Sequence, residues 1–449
     1  MKYPKVIGRF PREFEWGVAT AAYQIEGAVS EFGRGPSIWD DFSHQPGHIL
    51  HNDTGDVACD HYHQMNSDVA LLKTLGVSHY RFSLSWSRIL PHGRLTETNP
   101  QGLDFYHRLI DALLSQNIIP VVTLYHWDLP SALQSRGGWL NRDTAKIFAD
   151  YASFAVNAFG DRVGRWITHN EPWCSAVLGH QTGEHAPGIQ SDTSALSAAH
   201  HILLSHGLAT QAMRATRPTT AIGITLNLSP IYGRDDTPET AEAVALLDTF
   251  SNTWYLDPLL RGSYPTLLDT IYKKAPPVAD HDMATISQPL DFLGVNYYFS
   301  QTVGPSAELH PWPVERVSPT APLTAMGWPV TPRGLHDLLV RINGEYPSIP
   351  LIITENGAAY PDVIDQSGII LDIERIQFLS DHIEAVGTAI GQGVDIRGYY
   401  VWSFLDNFEW AYGYSKRFGL FYVDYGTLTR LPKESARWYR DLVHHMRAQ

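Results

Sequence analysis

Two stretches decide the fold: Trp166-Ile167-Thr168-His169-Asn170-Glu171-Pro172 and Leu351-Ile352-Ile353-Thr354-Glu355-Asn356-Gly357. Each begins as a short run of residues that favour a strand, and each ends in a glutamate beside an asparagine. In a parallel barrel, the carboxyl ends of the strands open onto the face that holds the functional site. These stretches therefore predict a parallel barrel with one glutamate at each of two strand ends.

The same alternation of strand-like runs and amphipathic helical stretches extends along the chain in both directions. We predict eight strands, at Glu15–Ala19, His79–Ser83, Ile119–Leu124, Arg165–Thr168, Ala221–Leu226, Asp291–Val295, Leu351–Thr354 and Arg397–Val401. We predict helices between them, at His61–Leu75, Leu103–Gln116, Asp143–Phe159, Ser194–Thr216, Pro332–Arg341, Asp372–Gly391 and Glu434–Met446. This pattern indicates the α/β class, with a single (β/α)8 barrel domain over residues 1–449.

The length and composition fit one large domain. The chain has 449 residues, of which 44% are apolar, and no linker or low-complexity tract divides it. The Pro-rich stretch Ser306–Pro332 predicts a long loop between the sixth strand and its helix, and loops of that length often carry function.

The composition also argues against two kinds of partner. There are 47 acidic and 33 basic residues, giving a formal net charge of −14, so we do not expect nucleic-acid binding. No apolar run approaches the ~18–20 residues of a membrane span. The start of the chain has no apolar signal core, and the two cysteines, Cys59 and Cys174, make no disulfide framework. We therefore expect a cytoplasmic protein.

The two strand-end glutamates suit the hydrolysis of a glycosidic bond. That reaction needs one carboxyl group that stays protonated and donates to the leaving oxygen, and a second that stays ionised and attacks the anomeric carbon. For the retaining reaction the two groups should lie about 5–5.5 Å apart. A single glutamate in such a place more often caps a helix or pairs with a surface base. Two of them, each beside an asparagine, favour the catalytic interpretation.

The chain resembles glycoside hydrolase family 1. The stretch Phe14–Gly27 resembles the N-terminal signature of that family, Thr168–Pro172 its acid/base motif and Ile353–Gly357 its nucleophile motif. The resemblance implies a retaining β-glucosidase with Glu171 as acid/base and Glu355 as nucleophile, needing no cofactor or metal. It implies β-glucosides or cello-oligosaccharides as substrates, with β-galactosides and β-fucosides accepted as well, and a role in cellulose degradation.

The resemblance also assigns roles to other residues. Arg81, Asn296 and Tyr298 would support the nucleophile, with the Arg81 cation keeping Glu355 ionised. Residues matching the family's sugar-binding positions are Gln24, His126, Trp127, Asn170, Trp328, Trp402, Glu409, Trp410 and Phe418. Four weaker candidates for the rim, for which simple packing is an equal interpretation, are Trp173, Leu178, His180 and Asn227.

Other functions stay open at this point. A 6-phospho-β-glycosidase would need a site for phosphate, which Glu409 would repel, although Lys416 lies just downstream. A sugar-binding barrel without catalysis would be expected to lack a catalytic glutamate, and both are present. A transglycosylase would use the same residues. The 21 histidines show no metal-ligand spacing such as His-Glu-x-x-His.

Overall fold

The computed structural model describes residues 4, 6–306, 313–346 and 348–448. At its centre lie eight parallel strands, β1 (Glu15–Ala19), β2 (His79–Ser83), β3 (Ile119–Tyr125), β4 (Arg165–Asn170), β5 (Ile222–Asn227), β6 (Phe292–Asn296), β7 (Leu351–Asn356) and β8 (Ile396–Trp402). They close into a barrel in the order β1-β8-β7-β6-β5-β4-β3-β2. The predicted fold class is confirmed.

The strands consist mostly of buried residues because helices cover the outer face of the barrel and side chains fill its interior. One apolar cluster inside the barrel includes Val121, Ile167, Phe292 and Ile352, each fully buried. Gly294 has to lack a side chain, because a Cβ there would lie 2.2 Å from the Thr225 hydroxyl of the neighbouring strand.

The helices surround the barrel. The longer ones are His61–Leu75, Pro100–Ser115, Asp143–Phe159, Asp192–Thr216, Pro238–Asp248, Pro332–Glu345, Ile373–Gly391 and Glu434–Ala448. The shorter α-helices are Ala22–Ile25, Ile38–Ser43, Trp86–Ile89, Ser131–Gln134, Trp254–Leu260, Leu267–Tyr272 and Asp282–Ile286, and π-helices run over Cys174–Thr182 and Thr249–Thr253. Short 3-10 helices lie at Ile7–Arg9, Leu50–Asn52, Gly138–Leu140 and Trp410–Tyr412.

Between β5 and the helix that follows β6, the structure adds a helix to those predicted and corrects one predicted loop. The connection from β5 to β6 is helical, beginning at Pro238, where the Thr237 side chain accepts a hydrogen bond from the Thr240 amide. The predicted loop Ser306–Pro332 contains the strand Val314–Arg316, antiparallel to Gln301–Pro305, which itself pairs with Ile231–Gly233. Residues 307–312 of that loop lie outside the described residues. A separate two-stranded sheet joins Phe421–Asp424 to Thr429–Pro432.

Several barrel strands continue one or two residues further than predicted, and the added residues are polar or aromatic. β4 reaches Asn170, β6 reaches Asn296, β7 reaches Asn356 and β8 reaches Trp402. Strand pairing continues there regardless of side-chain polarity, because the ladder joins backbone groups. The residues at the strand ends are therefore held by the rigid barrel and not by a loop.

None of the described helices is long and apolar enough to span a bilayer. The expectation that the chain carries no signal peptide depends partly on residues 1–3 and 5, which lie outside the described residues.

Candidate active site

A cavity of about 660 Å³ opens at the carboxyl ends of the barrel strands. Its volume is typical of sites for small molecules. The predicted site residues that line it are His126, Trp127, Glu171, Asn296, Tyr298, Trp328, Glu355, Trp402, Glu409, Trp410 and Phe418. The other three, Gln24, Arg81 and Asn170, are buried. Arg81 contacts Glu355 and Asn170 contacts Asn296, both of which line the cavity. Gln24 donates to the carbonyl of Phe408, the residue before Glu409.

Glu355 is fixed at both carboxylate oxygens. Arg81 donates from Nη1 to Oε1 over 2.7 Å, and the Tyr298 hydroxyl donates to Oε2 over 2.6 Å. Burial raises the pKa of Glu355, but the Arg81 cation and the Tyr298 hydroxyl act in the opposite direction. Both partners favour the ionised carboxylate, and both hold it in one orientation.

Glu171 has weaker partners. Asn296 donates from Nδ2 to Oε1 over 2.6 Å, and the Cys174 thiol lies 3.0 Å from Oε2. Burial, and next the negative charge of Glu355, raise the pKa of Glu171 to about 7. Of the two carboxyl groups, Glu171 is therefore the one that keeps a proton near neutral pH.

Asn170 connects the two carboxyl groups to the histidine of strand β3. Its Oδ1 accepts hydrogen bonds from Arg81 Nη2 over 2.7 Å and from Asn296 Nδ2 over 3.0 Å. Its Nδ2 lies 3.1 Å from His126 Nε2 and donates to it, because burial lowers the pKa of His126 far below its usual value and leaves the imidazole neutral.

Several buried polar atoms near the cavity have no hydrogen-bond partner among the described residues, and they include Gln24 Oε1, His126 Nδ1 and Glu409 Oε2. Unpaired buried polar atoms are costly, so they are expected to have a partner in a bound ligand or water. The Gln24 amide nitrogen is held by Asn407 Oδ1 and by the Phe408 carbonyl, at 3.0 and 2.9 Å. Burial and the charges of Glu355 and Glu171 raise the pKa of Glu409 to about 8.

Aromatic rings form the wall around these polar atoms. The His126 ring stacks on Trp402 and on Trp410, with ring centroids 5.8 and 5.9 Å apart. Trp127 packs on Trp410 at 4.6 Å and donates from its indole nitrogen to the Asn170 carbonyl over 2.9 Å. Apolar faces beside a few directed polar atoms suit a ligand that carries hydroxyl groups on an apolar ring, as a sugar does.

Three residues of the cavity have a left-handed backbone conformation that residues with side chains seldom adopt: Trp127 at φ 80°, Glu171 at φ 48° and Trp410 at φ 47°. Such conformations cost roughly 1–3 kcal/mol each and are common at functional sites. At Glu171, a hydrogen bond of 2.9 Å from its amide to the Thr225 carbonyl helps to hold the backbone in this strained conformation.

The geometry agrees with the comparison to known proteins. The model of the family described as Glycosyl hydrolase family 1 matches residues 6–447. The chain belongs to glycosyl hydrolase family 1.

Relatives of this glycosyl hydrolase cover nearly its full length. Beta-glucosidase A of Acetivibrio thermocellus is 46% identical over 439 residues, covering 97% of this chain and 98% of the relative. The bifunctional beta-D-glucosidase/beta-D-fucosidase of Bifidobacterium breve is 47% identical over 460 residues, with coverage of 97% and 98%. A solved structure of the family 1 β-glucosidase from Thermotoga maritima superposes with a TM-score of 0.95 at 45% identity, covering 99% of both chains.

The outer part of the cavity of this family 1 hydrolase is only partly as predicted. Trp173, Leu178 and Asn227 line it, as does Trp328, whose ring stacks on Phe299 at 5.3 Å. His180 does not line it, since it is buried with Nδ1 2.8 Å from the Ser175 carbonyl. Further lining residues that the sequence analysis missed include His185, Phe250, Phe299, Gln301, Arg316 and Tyr412.

Sequence reasoning also missed Cys174 beside Glu171. The spacing of three residues was a usable signal, because residues three or four apart in a helix lie on the same face. Among the described residues, no group of three or more His, Cys, Asp and Glu side chains could hold a metal ion.

Proposed function

We propose that this chain is a retaining β-glucosidase. It removes terminal non-reducing β-D-glucosyl residues from oligosaccharides and from aryl or alkyl glucosides, and it also accepts β-galactosides and β-fucosides. The proposal is carried by the two buried carboxyl groups of one cavity, Glu171 and Glu355. Arg81 and the Tyr298 hydroxyl favour the ionised form of Glu355, whereas burial and the charge of Glu355 favour the protonated form of Glu171. The names of the Acetivibrio and Bifidobacterium relatives support a substrate whose terminal sugar has the glucose or the fucose configuration.

The reaction proceeds in two steps with retention of configuration. Glu355 attacks the anomeric carbon and forms a bond to it while the bond to the leaving oxygen breaks, and Glu171 gives its proton to that oxygen. Water then attacks the same carbon, Glu171 takes a proton from the water, and the bond to Glu355 breaks. Arg81 and Tyr298 hold the nucleophile in line for both displacements.

The environment of Glu171 suits its change of role. In the free enzyme, burial and the charge of Glu355 keep the pKa of Glu171 near 7, so it is available as an acid. When Glu355 is bonded to the sugar, that negative charge is gone and the pKa of Glu171 falls. The same residue is then an ionised base.

The unpaired atoms of Gln24, His126 and Glu409 suit the hydroxyl groups of the sugar, and Trp402 suits an apolar face of its ring. Trp328, in the outer part of the cavity, suits the leaving group. A phosphate at C6 is disfavoured, because Lys416 is bonded to the Ala325 carbonyl over 2.7 Å. Four carboxyl groups line the cavity, those of Glu171, Glu184, Glu355 and Glu409, together with one arginine, Arg316.

The test is a panel of aryl α- and β-glycosides, including an aryl β-glucoside 6-phosphate, with the first-formed sugar anomer followed by NMR. We expect rapid hydrolysis of the unphosphorylated β-glucoside with β-glucose appearing first. Preference for the 6-phosphate would replace the proposal with a 6-phospho-β-glycosidase. Sugar binding with no turnover of any member would indicate a non-catalytic barrel, and α-glucose as first product would refute retention.

We further infer that residues 1–449 act as one catalytic domain, in the cytoplasm, on cello-oligosaccharides from cellulose degradation. Both cysteines, Cys59 and Cys174, are buried and unpaired, which suits a reducing compartment. Release of glucose from cellobiose and cellotriose tests the substrate, and cell fractionation tests the location.

A further inference from the structure

One contact of Glu171 has no role in the two steps above. Cys174 begins the π-helix Cys174–Thr182, and its amide donates to the Glu171 carbonyl over 3.0 Å. This backbone contact brings the thiol back to the carboxyl group of Glu171, with Sγ 3.0 Å from Oε2. The side chain of Cys174 is buried and lies at the wall of the cavity.

The thiol contacts the oxygen that carries the transferable proton. Oε1 of Glu171 accepts from Asn296 Nδ2 over 2.6 Å. The orientation of that amide is fixed, because the Thr354 hydroxyl donates to Asn296 Oδ1 over 2.7 Å. With an N–H donor on Oε1, the proton of the acid is best placed on Oε2, which is the oxygen beside Cys174.

A thiol can lie beside Glu171 Oε2 whether that oxygen is protonated or ionised, because a thiol is a weak donor and a weak acceptor. Burial, and next the charge of Glu171, raise the pKa of Cys174 far above its usual value, so the side chain stays a neutral thiol. It therefore keeps its own proton. It can donate to an ionised Oε2, and it can turn away when Oε2 is protonated.

We propose that Cys174 is a positioning residue for Glu171, and that its thiol donates a hydrogen bond to Oε2 whenever that oxygen has given up its proton. The inference rests on the proposed acid/base role. During the first step, the proton moves from Oε2 to the leaving oxygen, and the S–H bond then points at the new carboxylate. The thiol thus stabilises the ionised carboxylate of Glu171 between the two steps. It also lowers the pH above which Glu171 loses its proton.

Other groups also act on this proton, and the test has to separate them from the thiol. Those with an electrostatic or hydrogen-bond influence on Glu171 or Cys174 are Arg81, Glu184, Asn296, Tyr298, Glu355 and Glu409. A change at Cys174 leaves all of them in place. The hydrogen bond lowers the pKa of Glu171, so its removal raises that pKa and moves the high-pH limb of activity to higher pH.

The experiment compares Cys174→Ala and Cys174→Ser with the wild type, using pH profiles of kcat/KM for a β-glucoside whose leaving group needs the acid. In Cys174→Ala, kcat/KM on the high-pH limb, normalised to the plateau, should rise by about 2- to 10-fold, the value of one modest hydrogen bond. In Cys174→Ser, whose hydroxyl is a stronger donor, the high-pH limb should lie at the same pH as that of the wild type or at a lower pH. Cys59→Ala, which removes a buried thiol bonded to the Asp406 carbonyl, is the matched control and should not move the limb.

The proposal would be overturned if the high-pH limb did not move in Cys174→Ala, or if it moved equally in Cys174→Ala and Cys174→Ser. A second measurement needs no change at Cys174. In the Cys59→Ala protein, the S–H stretching band of the one remaining thiol in the infrared should shift as Glu171 titrates. A band that is constant with pH overturns the proposal. If the wild type cleaved no β-glucoside, the proposed function would be refuted instead. The infrared band would still test the contact between the Cys174 thiol and Glu171.

Discussion

The most direct test of the nucleophile's surroundings is Tyr298→Phe. This change removes one oxygen atom, the hydroxyl that donates to Glu355 Oε2 over 2.6 Å, and leaves the Arg81 contact to Oε1 in place. The Tyr298 hydroxyl favours the ionised carboxylate, so it lowers the pKa of Glu355. Without it that pKa rises, the nucleophile becomes protonated at higher pH, and the acid limb of the activity profile moves to higher pH.

The size of the effect follows from the kind of bond. A hydrogen bond to a charged group contributes about 1.5–3 kcal/mol. Each 1.36 kcal/mol corresponds to a factor of ten in the protonation equilibrium. On the acid limb, kcat/KM of Tyr298→Phe should therefore fall about 10- to 150-fold relative to the wild type, with a smaller loss at the plateau.

The assay is kcat/KM against pH with an aryl β-glucoside. Tyr297→Phe is the matched control, because Tyr297 is the adjacent residue and its hydroxyl donates to the Thr331 carbonyl over 2.6 Å instead. It should lower stability without moving the acid limb. If the acid limb of Tyr298→Phe coincided with that of the wild type, or moved to lower pH, the assignment of Tyr298 to the nucleophile would be wrong.

Three further predictions concern other parts of the site and its support. Glu171→Ala should slow cleavage of cellobiose by about 10²–10⁴-fold. In stopped-flow assays it should spare formation of the glycosyl-enzyme from a dinitrophenyl β-glucoside, because that leaving group needs no proton. Equal losses with the two substrates would contradict the acid role. Glu409→Ala should lower kcat/KM for an aryl β-glucoside about 10- to 150-fold, and a much smaller loss with one of a series of deoxy substrates would identify the hydroxyl group that Glu409 contacts. Lys433→Met should reduce the free energy of unfolding in urea by about 3–5 kcal/mol, because fully buried Lys433 donates to Asp362 and Asp406 over 2.5 and 2.6 Å.

The barrel strands were predictable because they are short runs rich in residues that favour a strand and are bounded by turns, and the bounds of β1 and β2 are as predicted. The prediction failed at the carboxyl ends of β4, β6 and β7, where polar residues interrupt the apolar pattern but the backbone ladder continues. It also failed between β5 and β6, although Thr237-Pro238 is a readable signal for a helix start. The strand Val314–Arg316 was missed because three residues inside a Pro-rich segment are too few to show a strand pattern. It pairs with Gln301–Pro305, which lies directly before that segment.

The sequence by itself determined the order of strands and helices, the presence of a glutamate after β4 and of another at the end of β7, and the family that these motifs resemble. The resemblance implied that Glu171 is the acid, but only the tertiary structure shows what keeps its proton there, because that depends on burial and on the charge of Glu355, which is far away in the chain. Arg81 and Glu355 are 274 positions apart, yet they lie 2.7 Å from each other. The contact between Cys174 and Glu171 was likewise decided by the folded backbone, since spacing of three residues allows such a contact without requiring it.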